Sequence, residues 1–227
     1  MSDLPPEEVR ELLAISRRRT FAKGEVVFHR DDLGESLHLI VKGSFAVRLM
    51  TPLGDTVTVA VRGPGDNFGE MALAAPDSRR SATVAALQPA ETMALYYGAF
   101  ERLRKRNPQI SQVLIAFLVA EIRRQNELLL DALYVPAERR VLRRLAELAD
   151  VYADGDGVIA LTQEELAQIA GTSRATVNRV LRQQEKRGTI TLRRGKTTIV
   201  DRALLRRSGP RGSTALEEKH VAPRTLR

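Results

Sequence analysis

Two arginine side chains near the C-terminal end of the sequence, Arg174 and Arg179, have chemistry suited to a nucleic acid. The guanidinium group is a rigid fork of donors that can bond bidentately to guanine O6 and N7. We therefore expect these two side chains to contact base edges. The exposed face of the same helix would also carry Ser173, Ala175, Thr176 and Asn178. Thr176 and Gln163 are better placed for phosphate oxygens, which orient a protein on DNA without specifying a sequence.

Capping residues around these arginines predict the helices that position them. Thr162 and Glu165 have the three-residue spacing of a capping box, which begins a first helix. Gly171 ends that helix because glycine enters the left-handed conformation without steric cost. Ser173 then caps a second helix over residues 174–186. Two helices joined in this way form a helix-turn-helix, and the alternative is an ordinary helical hairpin.

A basic hairpin is predicted directly after the second helix. Residues 189–201 read TITLRRGKTTIVD, two β-type runs separated by Arg194-Gly195-Lys196. A helix-turn-helix followed by such a hairpin is a winged helix, in which Lys196 is expected to contact the phosphate backbone.

The distribution of charge agrees with a polyanionic partner for this half of the chain. The formal net charge is +8, and all of it lies in residues 135–227, since residues 1–134 contain equal numbers of basic and acidic side chains. A concentrated positive charge attracts a polyanion such as double-stranded DNA. The alternative is a solvated basic surface without a partner.

A second group of residues suited to anion binding lies in the N-terminal half. It comprises Gly69, Glu70, Met71, Arg80 and Ser81, within residues 68–84. Gly69 permits close approach of the backbone, and the amides that open a short helix at Glu70 and Met71 can point at an anion. Arg80 adds a fork of donors and Ser81 a hydroxyl group. These residues predict a binding site for a small anion.

Short β-type runs divided by glycines surround that site. They are residues 25–29, 36–41, 44–50, 56–61 and 81–87. Strands of this length and spacing, over about Phe21 to Leu95, predict an antiparallel barrel or jelly roll.

A long helix is predicted after the strands. Asn107 is expected to be its N-cap, with Pro108 in the first turn, and it continues to Leu133 without glycine or proline. One stripe has the gaps of three and four residues that are typical of a coiled-coil seam. The stripe consists of Ile115, Leu118, Ile122, Gln125, Leu129 and Ala132. We expect it to form a homodimer seam; the alternative is packing on its own domain.

Pro136 is expected to separate two domains. A proline restricts the residue before it to extended geometry, so Val135-Pro136 is predicted to be a hinge, followed by a helix over 137–152. Residues 208–227 mix small, charged and proline residues without periodicity, and we expect a disordered tail.

Composition excludes several kinds of chemistry. The sequence has no cysteine, so disulfides, thiolate metal sites and cysteine nucleophiles are absent. Its three scattered histidines (His29, His38 and His220) do not form a metal-binding set, and we predict no metal site and no catalytic residue. No stretch has the length of a membrane span and no secretory signal is evident, so we expect a cytoplasmic protein without membrane contact.

The order of these elements resembles the cyclic AMP receptor protein/FNR family of transcription regulators. The resemblance covers about residues 10–205 and depends on two motifs, FGEMALAAPDSRRSATV and LTQEELAQIAGTSRATVNRVL. It implies an α+β fold with a cyclic-nucleotide-binding-like β-roll, a long dimerisation helix and a C-terminal winged helix-turn-helix. The implied segments are a β-roll effector domain over 1–106, a dimerisation helix and hinge over 107–135, a DNA-binding domain over 136–207 and the tail over 208–227.

The resemblance also implies ligand and partners. Glu70 would accept a hydrogen bond from a ribose 2′-hydroxyl, while Arg80 and Ser81 would bind a cyclic phosphate. Counting back from Arg140 without a gap places Gln125 and Asn126 against the base. The partners would be a palindromic DNA operator, a second copy of the chain and RNA polymerase. Cyclic AMP or cyclic GMP would be an effector, and no obligatory cofactor is expected.

Two departures from the family pattern affect specificity. Ala175 stands where many members have a glutamate that accepts from cytosine N4, so preference at that base pair should be weakened or moved to a thymine methyl. Gln125 replaces a smaller hydroxyl residue, and its other role would be to fix dimer register. Two further functions remain as alternatives: a ligand-independent regulator whose roll is a dimerisation scaffold, and an enzyme on a cupin-like barrel, which the histidines do not support.

Overall fold

The computed structural model describes residues 6–75, 77–152, 157–193, 195–203 and 205. Eight strands form its N-terminal half. They are β1 Arg17–Phe21, β2 Val26–Phe28, β3 Ser36–Lys42, β4 Phe45–Met50, β5 Thr56–Arg62, β6 Asn67–Phe68, β7 Thr83–Ala86 and β8 Ala90–Tyr96. They make two four-stranded antiparallel sheets, in the orders β1-β8-β3-β6 and β2-β7-β4-β5. The predicted antiparallel β-roll is confirmed.

The two sheets enclose an aromatic core. The ring of Phe45 lies 5.6 Å from that of Phe21 and 5.0 Å from that of Phe68. All three side chains are buried, because alternate residues of each strand point between the sheets. This core fixes the positions of β3, β6 and β7, the strands that border the predicted anion site.

Three helices pack on the roll: α1 Pro6–Ile15, α2 Tyr97–Arg106 and α3 Ile110–Tyr134. The prediction that Asn107 is the N-cap of the long helix is wrong, because the helix begins at Ile110 and its N-cap is Gln109. Asn107 instead follows α2, where its Oδ1 accepts a hydrogen bond from Gln109 N at 3.2 Å. A tight turn therefore separates α2 from α3.

The joint between α3 and the next helix has the predicted geometry. Val135 is extended, with φ −95° and ψ 128°, and α4 runs over Ala137–Val151 directly after Pro136. The buried carboxylate of Asp131 on α3 binds Arg143 Nη1 at 2.6 Å and Arg144 Nη2 at 2.9 Å on α4. These ion pairs hold the two helices together across the bend.

The C-terminal half is a small winged helix domain. Its further elements are β9 Val158–Ile159, α5 Gln163–Ala170, α6 Arg174–Lys186, β10 Ile190–Arg193 and β11 Lys196–Ile199. Leu145 of α4, Val177 and Leu181 of α6 and Ile190 of β10 are buried in one core. Residues 208–227, predicted to be a disordered tail, lie outside the described residues.

The winged helix domain contacts the roll of its own chain through strand β5. The amide N of Thr58 donates to Gln168 Oε1 on α5 at 2.8 Å, and Val61 joins the core of α4 and α5. Arg48 lies 3.8 Å from Glu165 in a half-buried ion pair. Strand β5 is the edge of its sheet, so the Gln168 amide satisfies a donor that would otherwise face solvent.

Within the described ranges, no helix combines the length and apolar character needed to cross a lipid bilayer. In the same ranges no three His, Asp or Glu side chains are grouped closely enough to hold a metal ion.

Candidate DNA-reading surface and ligand cavity

Local hydrogen bonds set the geometry of α5 and α6 as the sequence predicts. Glu165 N donates to Thr162 Oγ1 at 3.1 Å and Thr162 N donates to Glu165 Oε2 at 2.9 Å, which completes the capping box. Gly171 is left-handed, with φ 59°. Ser173 Oγ accepts from Thr176 N at 3.3 Å at the start of α6. The helix-turn-helix is therefore specified by residues close together in sequence.

One face of α6 is exposed and polar, and we call it the reading face. It contains Ser173, Arg174, Ala175, Asn178 and Arg179. Thr176 and Gln163 are half-buried at its edge, and Asn178 Nδ2 donates to Gln163 Oε1 at 3.1 Å. Arg179 Nη2 lies 2.7 Å from Glu138 Oε1 at the start of α4. The structure thus brings these predicted DNA contacts together, and it pairs one of them with a carboxylate.

A groove of about 650 Å³ lies between the reading face and the β10–β11 hairpin. Of the residues that the structure describes, four cationic side chains line it: Arg174, Arg182, Arg193 and Lys196. Sequence reasoning missed Arg182 and Arg193. Arg182 follows Arg174 by eight residues, close to two helical turns, which was the available signal. The four cations suit the negatively charged backbone of a nucleic acid.

Arg140 connects the bend at Pro136 to the turn of the helix-turn-helix. Its Nη1 donates to Val135 O at 2.7 Å, its Nε to Ala170 O at 2.9 Å and its Nη2 to Gly171 O at 2.6 Å. Carbonyl groups at the ends of two helices lack partners within their own helices, and one guanidinium satisfies both ends here. Arg140 therefore connects the end of α3 directly to the turn before α6.

The predicted anion-binding residues border a second cavity, of about 450 Å³, which we call the cassette cavity. Gly69, Glu70, Met71, Arg80, Ser81 and Gln125 all line it. Gly69 is left-handed, with φ 78°, and opens a 3₁₀ turn over Glu70–Leu73. Burial raises the pKa of Glu70, and the nearby Glu121 raises it further. Asn126 is exposed and does not line the cavity.

The Arg80 guanidinium is largely buried, with 6% of the residue exposed. Its Nη1 donates to Ser36 O at 2.7 Å and to Gly69 O at 3.3 Å, and its Nη2 donates to Ser36 Oγ at 3.3 Å. The guanidinium carbon lies 3.9 Å from the centre of the Phe28 ring. Its Nε has no partner among the described residues. Arg80 therefore keeps a free, buried donor beside the cavity, which suits an anion.

A buried histidine supports Arg80 through Ser36. His38 Nε2 lies 3.1 Å from Ser36 Oγ, and its Nδ1 lies 3.0 Å from Thr92 Oγ1. Its ring stacks on Phe68 at 5.0 Å. Burial, together with the positive charge of Arg80, lowers the pKa of His38 to about 3. The neutral ring lets Ser36 Oγ–H donate to it while Ser36 Oγ accepts from Arg80.

The predicted seam of α3 is largely exposed in the single chain. Ile115 is 49% exposed and Ile122 and Leu129 are each 58% exposed. The opposite face of α3, with Val113, Phe117 and Asp131, is buried against the chain. Gln125 lies at the border between the two faces, whereas Asn126 lies nearer the middle of the exposed stripe.

Comparison with known proteins supports both halves of this arrangement. Residues 18–107 match the cyclic nucleotide-binding domain family, and residues 139–208 match the Crp-like helix-turn-helix domain family. The Crp-like helix-turn-helix domain and the relatives described below are those of transcription regulators rather than enzymes.

Three known proteins illustrate the similarity. The cyclic AMP receptor protein of Thermus thermophilus is 35% identical over 204 residues, which are 89% of this chain and 92% of that protein. The CRP-like cAMP-activated global transcriptional regulator of Mycobacterium tuberculosis is 30% identical over 185 residues, which are 79% of this chain and 82% of that protein. The structure of FixK2 from Bradyrhizobium japonicum has a TM-score of 0.69 and covers 88% of this chain and 100% of its own. At 18% identity, that likeness concerns the fold alone.

Proposed function

The chain belongs to the cyclic AMP receptor protein family of transcription regulators, and from this premise we propose that a cyclic nucleotide controls its binding to DNA. The observation that carries the proposal is the composition of the cassette cavity, which is lined both by the roll and by α3. A ligand there contacts the two elements whose relative position determines where the winged helix domain lies. Such a ligand changes DNA affinity only by the difference between its affinities for the two arrangements.

Each predicted ligand contact has a defined role in this proposal. The backbone at Gly69 and Met71 approaches the phosphate, and Arg80 and Ser81 donate to its oxygens. Glu70 accepts from the ribose 2′-hydroxyl, and Gln125 meets the base. Asn126 meets the base of a nucleotide held by a second copy of the chain, since it projects from the exposed side of α3. The relatives named as cyclic AMP receptors make cyclic AMP the first candidate and cyclic GMP the second.

The second copy would pack along α3. Exposed apolar side chains with the spacing of a coiled-coil seam, among them Ile115, Ile122 and Leu129, are stabilised when a second helix covers them. A parallel pair of α3 helices then places two winged helix domains on the same side of the dimer.

In the dimer, each α6 enters one of two successive major grooves, about 34 Å apart on a palindromic site. Arg174 and Arg179 read guanines, the smaller side chains of the reading face pack on neighbouring base edges, and Lys196, Gln163 and Thr176 bind phosphates. RNA polymerase is the partner that a regulator bound in this way would act on.

Titration calorimetry of the full-length chain with cyclic AMP and with cyclic GMP tests the proposal, with linear 5′-AMP as a control ligand. We expect saturable heat with at least one cyclic nucleotide and a loss of that heat in Arg80→Met. The absence of heat with both nucleotides, at a protein concentration well above micromolar, would overturn the proposal and favour a roll that acts only as a scaffold.

A further inference from the structure

The lining of the cassette cavity contains an ion pair between β5 and α3 that sequence reasoning did not anticipate. Arg62 Nη2 on β5 lies 2.6 Å from Glu121 Oε2 on α3. The side chain of Arg62 is 11% exposed and that of Glu121 is 26% exposed. The other carboxylate oxygen of Glu121 accepts from Gln125 Nε2 at 3.2 Å. The pair therefore bridges the roll and the long helix across the cavity.

The charges around this pair are crowded. Glu70 and Glu121 both line the cavity, as do Arg62 and Arg124. Burial lowers the pKa of Arg124, and repulsion from Arg62 lowers it further. Glu121 is thus the anion that offsets the Arg62 cation within a partly buried space, where an unpaired charge is costly.

Arg62 also has unused donor capacity. Its Nε is buried and has no partner among the described residues. The Glu121 carboxylate engages Nη2, so the Nε side of the fork is not satisfied. A phosphodiester has two non-bridging oxygens that share one negative charge and match a guanidinium fork, and its bidentate complex with arginine is stronger than a single contact.

We propose that Arg62 is a second anion-binding residue of the cavity and that the cyclic phosphate of the ligand replaces Glu121 as its partner. This inference rests on the proposed function, since it assumes that a cyclic nucleotide enters the cavity. The exchange conserves charge around Arg62, because a cyclic phosphodiester and a carboxylate each carry one negative charge. Glu121 is already partly exposed, so its released carboxylate can reach water.

The exchange links ligand binding to the rest of the chain. Glu121 belongs to α3, and its release removes a contact between the roll and the long helix. Strand β5, which carries Arg62, also holds α5 through the bond from Thr58 N to Gln168. The Arg62–Glu121 pair therefore joins the cavity to β5 and α3, the two elements that contact the winged helix domain.

Two substitutions that remove the same ion pair separate this proposal from a structural role. Glu121→Gln removes the competing anion and leaves Arg62 for the phosphate, whereas Arg62→Met removes the receptor of the phosphate. Calorimetry with cyclic AMP and cyclic GMP should therefore show a Kd about tenfold lower for Glu121→Gln and about tenfold or more higher for Arg62→Met. A pair that serves only the fold predicts shifts in the same direction for both.

Matched controls are available on α3. Glu127→Gln and Arg123→Met make the same changes of charge at exposed positions that do not line the cavity, and both should keep the wild-type Kd. Thermal melts establish that each variant is folded. Should Arg62→Met not fold, Glu121→Gln carries the test alone, and an unchanged or higher Kd overturns the proposal.

The outcomes distinguish this inference from the proposed function. If wild type binds a nucleotide through Arg80 but Glu121→Gln and Arg62→Met do not shift the Kd in opposite directions, the exchange is refuted and the proposed function stands. If neither wild type nor Glu121→Gln binds a nucleotide, both are refuted. Binding by Glu121→Gln alone would support the exchange in its strongest form.

Discussion

Arg179, on the reading face, is paired with Glu138 at the first turn of α4, at 2.7 Å between Nη2 and Oε1. Both side chains are exposed, and an ion pair of this kind contributes only about 0.2–1 kcal/mol. Contact with a guanine therefore requires Arg179 to exchange a weak intramolecular partner for a bidentate one. Glu138 would therefore lower the availability of Arg179 for the proposed base contact without preventing that contact.

Glu138→Gln should raise affinity for the operator by about threefold, which corresponds to the strength of an exposed pair. The gain should be larger for the operator than for a scrambled duplex, because it comes from a base contact. Fluorescence anisotropy with both duplexes measures it. Glu164→Gln is the control, since it removes a charge beside the groove without releasing Arg179. Equal gains from the two variants on both duplexes would contradict this role of Glu138.

Truncation of Arg174 and truncation of Lys196 should weaken DNA binding in different ways. Arg174→Ala removes a bidentate base contact, so it should lose about 1–3 kcal/mol of discrimination between operator and scrambled DNA. Lys196→Ala removes a phosphate contact, so it should weaken binding to both duplexes alike. It should also reduce by about one the slope of log affinity against log salt concentration. An Arg174→Ala variant that discriminates like wild type would exclude Arg174 as a base reader.

The exposed stripe of α3 predicts the oligomeric state. Light scattering should give a mass twice the 25.2 kDa of the chain. Ile122→Glu places a charge in the seam and should give a mass close to that of one chain, because the charge would be buried without a partner. Arg123→Glu, at the neighbouring exposed position, should remain a dimer. A wild-type mass of one chain at micromolar concentration would refute the seam.

The buried His38 predicts a dependence of stability on pH. Its pKa is about 3 in the folded protein, below the ordinary value of 6.5, so the unfolded chain binds more protons between these values. The contribution of the neutral His38 to the free energy of unfolding is complete above pH 6.5 and is lost as the pH falls toward 3. His38→Gln should reduce the slope of the unfolding free energy against pH, over pH 4.5–6, by up to about 1.4 kcal/mol per unit. Identical slopes in urea melts of the two proteins would show that His38 is not buried in its neutral form.

The sequence predicts local structure in this protein better than it predicts long-range contacts. The capping box at Thr162, the turn at Gly171 and the bend at Pro136 depend on neighbours in sequence, so residue type and spacing predict them. Strand β1, Arg17–Phe21, was missed because it is an exposed edge strand rich in arginine. Only its pairing with β8, far along the chain, makes it a strand.

In the cassette cavity, too, the sequence predicts the local features but not the long-range contacts. Its position follows from a motif, and the glycine and arginine types in the cassette indicate an anion. The engagement of Arg80 by Ser36 and Phe28, and the pairing of Arg62 with Glu121, could not be predicted, because they join residues that are 44 to 59 positions apart. Sequence also did not indicate that Asn126, rather than Gln125, lies nearer the middle of the exposed stripe.

The central claim, that a cyclic nucleotide controls DNA binding, is tested most directly by measuring operator affinity with and without the nucleotide. The operator is first selected from a random pool of duplexes in the presence of cyclic AMP and cyclic GMP. Anisotropy should then show an affinity that rises at least about fivefold when a saturating nucleotide is added, within the usual range of allosteric coupling. The same affinity with either nucleotide as with none would contradict the claim.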